Sequence, residues 1–96
     1  MTNFTPAVAQ MIKDLLRDIE TIYTNGTPIK SAYVKSLKLI DSVFDRHKAD
    51  LSSDELTMLQ SFRNYLAMRL AGNSIEVCWE VFMQEMKDAK LEKFFT

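Results

Sequence analysis

A chain of 96 residues, 47% hydrophobic and 26% charged, has the composition of a folded globular protein and the length of one domain. A formal net charge of −1 excludes a molecule-wide pull toward nucleic acid or anionic membrane. Two Gly and two Pro are too few for the many turns of an all-β fold.

Near the start, Ala7-Val8-Ala9 has the small-residue spacing of a signal-peptidase site. No Lys or Arg precedes it and no apolar run leads into it, so a signal peptide is not expected. No apolar run reaches membrane-spanning length, and the expectation is a cytoplasmic protein. Cys78 is the only cysteine, which rules out an internal disulfide and fits a buried, reduced thiol.

The hydrophobic spacing predicts four helices, over roughly residues 6–24, 28–48, 53–71 and 74–91, and hence an all-α four-helix bundle or orthogonal array. Thr5-Pro6 opens the first: Thr accepts from free backbone N–H groups, and Pro at the first helical position forgoes a donor with no partner there. Val8, Met11, Ile12, Leu15, Ile19 and Ile22 form its stripe, widened by Leu16 and Tyr23. Asn25-Gly26 closes it, because both residues tolerate the left-handed conformation past a helix end. Thr27-Pro28 repeats the start signal, and the short turn predicts an antiparallel hairpin. The second stripe is Ile29, Tyr33, Leu37, Ile40 and Phe44, flanked by Val34, Leu39 and Val43.

The third helix has the clearest start. Ser52 and Glu55 form a capping box, and Leu51 with Leu56 forms a hydrophobic staple around it. Leu56, Leu59, Phe62, Leu66 and Leu70 follow, with Met58, Tyr65 and Met68 beside them, and Gly72 is the stop. Asn73 with Glu76 is the expected capping pair of the fourth helix. That helix is the most apolar stretch and the expected centre of the fold. At about 100° per residue, Ile75, Cys78, Trp79, Phe82, Met83, Met86 and Ala89 share its core face. Val77 and Val81 fall on the far side. With Leu91, Phe94 and Phe95 they form a candidate exposed apolar patch for a protein partner or a second copy; the alternative is a tail folded back over the core.

Residues with catalytic or ligating chemistry are sparse. His47, the only imidazole, lies near a helix end between Arg46 and Lys48, and Cys78 is on another helix, so no nucleophile with its base is expected. No Cys-x-x-Cys, second His or Glu-x-x-His pair is present, so neither a metal nor another cofactor is expected. Asp14 with Asp18, and Asp41 with Asp45, read as solvated faces. Lys30, Lys35 and Lys38 stand in the first half of the second helix, where cations oppose the helix dipole, and are the candidate contacts for an anion or an acidic partner.

The run Lys48-Ala-Asp-Leu-Ser-Ser-Asp-Glu-Leu56, followed by Ser61 and Leu66-Ala67, loosely resembles the middle of the Hha/YmoA family, small helical bacterial modulators that associate with nucleoid proteins. Much of the likeness is a capping box and staple, and the Ala-Asp-His-Arg signature of that family is absent, with Arg63-Asn64-Tyr65 in its region. No functional residue is carried over. In size and layout the chain is also similar to small helical immunity or inhibitor proteins of bacteria and phages, a likeness of fold class alone. The sequence therefore points to a small non-enzymatic helical protein that binds another protein, or itself as a homodimer, as an adaptor, regulator or inhibitor. The alternative is a nucleic-acid-associated regulator using the basic face of the second helix. Neither a membrane nor a small-molecule substrate is expected.

Overall fold

The structure, a computed structural model, describes residues 5–24 and 30–96, with the side chains of residues 20–24 outside the described set. The closing signal Asn25-Gly26, the opening signal Thr27-Pro28 and the stripe residues Ile22, Tyr23 and Ile29 therefore lie outside what is described. Four α-helices are present: α1 (Thr5–Thr24), α2 (Lys30–His47), α3 (Ser53–Leu70) and α4 (Ile75–Asp88). One-turn 3₁₀ segments follow α2 at Lys48–Asp50 and α4 at Glu92–Phe94. No strand occurs among the described residues, and the fold is an all-α array of four helices.

The helices alternate in direction. Arg63 and Arg69 of α3 reach Asp41 and Tyr33 of α2, so ascending numbers on one helix meet descending numbers on the other. Ser61 and Tyr65 of α3 likewise meet Glu85 and Phe82 of α4. By contrast Thr5 of α1 meets Glu55 of α3, and Leu16 shares a cleft with Tyr65, so α1 and α3 run parallel.

The organising element is α3, not α4. Among the described residues it packs against α1, α2 and α4, whereas α1 and α2 touch each other only lightly. The cause is visible in its sequence: buried Glu55, Met58, Leu59, Ser61, Phe62, Tyr65 and Leu66 spread over an arc of about 160° at ~100° per residue. Each of the other helices presents a narrower buried stripe. Val8, Ala9, Ile12 and Ile19 serve α1, and Tyr33, Ser36 and Ile40 serve α2. On α4, Cys78, Phe82 and Met86 are buried, and Ile75, Trp79, Met83 and Ala89 are half-buried beside them. Tyr65 stands edge-on to both Trp79 and Phe82, at centroid distances of 6.4 Å each. Such pairs add about 0.5–1.5 kcal/mol beyond their buried area.

The capping box forms as expected. Ser52 Oγ accepts from the Glu55 N–H, and Glu55 Oε1 accepts from the Ser52 N–H at 3.1 Å. Glu55 is also buried, at 2% exposure, and its Oε2 accepts from the Thr5 hydroxyl at 2.8 Å. One carboxyl group thus completes the start of α3 and fastens the start of α1 to it.

The turn between α3 and α4 corrects one expectation. Asn73 does not cap α4; Ser74 does, accepting from the Val77 N–H at 3.2 Å. Asn73 serves the end of α3 instead, donating its backbone N–H and its side-chain amide to the Met68 carbonyl. Gly72, at φ 98°, donates to Arg69, which completes a Schellman close. Ser74 takes the N-cap because its extended backbone, at φ −68° and ψ 159°, directly precedes Ile75, the first helical residue.

The end of α4 repeats that close with a residue that resists it. Leu91 donates to the Met86 carbonyl and Lys90 to that of Lys87, with Lys90 at φ 61°. The predicted helix to residue 91 therefore stops at Asp88. A straight continuation would have aimed Lys93 at the core; the reversal puts Leu91 there instead, 3% exposed.

Two outcomes follow from these ends. Glu55→Ala should lower stability by about 2–3 kcal/mol in urea unfolding, since it strands two donors that were bonded to a carboxyl group; a change within error of zero would mean that α1 is held by its apolar contacts alone. Lys90→Gly should raise stability by about 0.5–1 kcal/mol, because Gly adopts positive φ without a Cβ penalty and loses part of that gain to a freer unfolded chain. A loss of stability on that change would contradict a strained Lys90.

Candidate protein-binding surfaces

The expected apolar patch does not stay together. Val77 is exposed, at 46%, and Val81 is half-buried. Leu91 belongs to the core and not to the expected surface patch, because the close at Lys90 turns it inward. Phe94 and Phe95 are half-buried against the core, and Phe95 stands edge-on to Phe82 at 5.1 Å. The tail thus folds back over the bundle, the alternative weighed for it from sequence. What remains open on α4 is Val77 with Val81, bordered by exposed Glu76 and Glu80.

The lysines also separate. Lys30, Lys35 and Lys38 are all exposed. On the helix wheel Lys35 and Lys38 lie about 60° apart, while Lys30 stands about 140° from Lys35. Only Lys35 and Lys38 border a groove between α1 and α2, whose apolar lining is Leu15, Ile19, Ala32 and Leu39 and whose polar rim also includes Asp18 and Ser36. Leu39 is 43% exposed there. Its expected place was the flank of the α2 stripe; the available signal was its offset of about 120° from the middle of that stripe. The weak α1–α2 packing that leaves the groove open had no local signature.

The reactive groups do not assemble. Cys78 has no exposed surface, and burial pushes its thiol pKa up from the ordinary value, an effect the Arg69 guanidinium partly offsets. His47 is exposed at the end of α2. A substrate would reach this sulfur only through local opening. Asp14 accepts from Gln10 and Arg17, and Asp41 from Arg63 at 2.8 Å, so each expected carboxylate pair has a member engaged with a neighbouring side chain. A polar cleft between α3 and α4, not anticipated from sequence, is lined by Thr57, Gln60, Ser61, Asn64, Glu85 and Asp88, with the Ser61 hydroxyl donating to Glu85. That bond fixes α3 to α4, and no imidazole stands beside it to activate the hydroxyl. Among the described residues no group of three or more His, Cys, Asp or Glu side chains is placed to hold a metal ion, and no helix is long and apolar enough to cross a membrane.

No family model matches the chain, and neither a curated protein nor a solved structure matches it significantly.

The buried thiol supplies a direct check on the packing of α4. Native protein should react with a thiol reagent such as Ellman's reagent at least tenfold more slowly than urea-unfolded protein, as a protonated, enclosed sulfur must. Full labelling of the native state at the unfolded rate would contradict the burial of Cys78.

Proposed function

We propose that this chain is a small non-enzymatic protein-binding module, acting as an adaptor, regulator or inhibitor. The observation that carries the reading is the α1–α2 groove, in which an exposed Leu39 stands over an apolar floor, with Lys35 and Lys38 on the rim. Apolar surface ringed by charge is the usual make-up of a recognition patch: the floor supplies burial, and the rim orients the partner. Phosphate alone has no use for Leu15, Ile19 and Leu39. Single-stranded nucleic acid would use exposed aromatic faces, whereas Tyr33 is buried and Phe44 half-buried on the inner side of α2.

A nucleic-acid-associated regulator is the second reading, favoured by the exposure of Lys30, Lys35 and Lys38 on one helix. It predicts binding whose log–log salt slope approaches about −3 if all three lysines meet phosphates. The protein-binding reading predicts that Leu39→Glu keeps the circular dichroism of the native chain and weakens capture of the cellular partner by at least about tenfold, the usual scale for a buried anchor residue. Equal capture by native and Leu39→Glu protein would remove the groove from the proposal.

A further inference from the structure

We propose that the occupant of the α1–α2 groove is α4 of a second copy of this chain, giving a weak head-to-tail association. The inference rests on the protein-binding reading above and names the partner. Its basis is that one molecule carries both halves of a complementary pair. The groove offers Leu39 beside Lys35 and Lys38, with Asp18 as the one acid on its rim. The outer face of α4 offers Val77 and Val81 one turn apart, and alongside them Glu80 and, one turn before it, Glu76, which also borders the cleft to Lys13 and Arg17 of α1. Further along α4, Asp88 repeats the acidic sign and Lys87 opposes it.

Lys35, Lys38, Glu76 and Glu80 are all exposed, and among the described residues none of them makes an ion pair or side-chain hydrogen bond. The neighbouring acid on α2, Asp41, is already engaged by Arg63. The two faces cannot satisfy each other within a molecule, because α2 and α4 pack on α3 and scarcely touch one another. Between molecules, valines meet the leucine floor while glutamates meet the lysine rim. Charges of opposite sign set the register, and the apolar rows supply the burial. Because the surfaces differ, each contact leaves a free groove on one copy and a free α4 on the other. Growth then continues until a ring closes.

Sedimentation equilibrium of the full chain up to about 1 mM tests this. The average mass should rise above 11.1 kDa with concentration in about 50 mM salt and fall back toward it in about 500 mM salt. The paired change Lys35→Glu with Lys38→Glu should leave a monomer, and so should Glu76→Lys with Glu80→Lys. Mixing the two variants in equal amounts should restore the higher mass, since every junction again joins opposite signs. A native chain that is monomeric throughout, or variants whose mixture stays monomeric, would overturn the proposal. Association unchanged by both swaps would overturn it too. Should a swapped variant lose helicity, Lys35→Gln with Lys38→Gln and Glu76→Gln with Glu80→Gln must still lower the mass. A monomeric chain that nevertheless captures a different protein through Leu39 would end self-pairing while leaving the protein-binding reading intact.

Discussion

The carboxyl group of Glu55 is the joint on which the arrangement depends. Side chains of this type are seldom fully buried, and they stay buried only where partners compensate the loss of water. Here Ser52 supplies a backbone N–H from the same helix start, and Thr5 supplies a hydroxyl fifty residues away. A local motif, the capping box, is thereby converted into a tertiary one. It aligns the starts of α1 and α3 and makes those helices parallel. The apolar stripe of α1 then falls along one side of α3. Arg63 and Arg69 hold α2 along a second side, and the Ser61–Glu85 bond and the aromatic group around Tyr65 hold α4 along a third.

Features that depend on neighbouring residues were legible in the sequence. The capping box at Ser52, the stop at Gly72 and the inward stripes of α3 and α4 follow from spacing and backbone preference. Features that depend on competition were not. Asn73 and Ser74 are both able caps, and only the path of the α3 close decides between them. Lys90 gives no warning of its left-handed backbone, since Gly or Asn would normally mark such a position. The burial of Leu91 is favourable enough to hold it there. Ser36 and Ser61 are buried although neither belongs to an apolar stripe. Apolar richness, greatest in α4, does not decide centrality. Breadth of the buried face distinguishes α3, and α4 spends part of its apolar content on Val77 at the surface.

The candidate surface was less legible than the fold for the same reason. Lys35 and Lys38 stand out in the sequence as cations in the first half of a helix, and so does Lys30, but the turn of the helix sets Lys30 about 140° from Lys35. Leu39 was visible as a flank residue. That it remains open depends on how far α1 stands from α2, a property of both helices against α3.

The Thr5–Glu55 bond, across fifty residues of chain, has a consequence for the order in which the molecule is completed. Contacts of α3 with α2 and α4 join neighbours in the chain, whereas α1 must close a loop past the whole of α2 before Thr5 can reach Glu55. Closure of that length carries an entropy cost that local helix pairs avoid, so α1 is the natural last piece to dock. The groove has α1 as one of its walls and does not exist before that step. Whatever fills it recognises only the finished molecule, and by mass action draws the chain toward the completed fold.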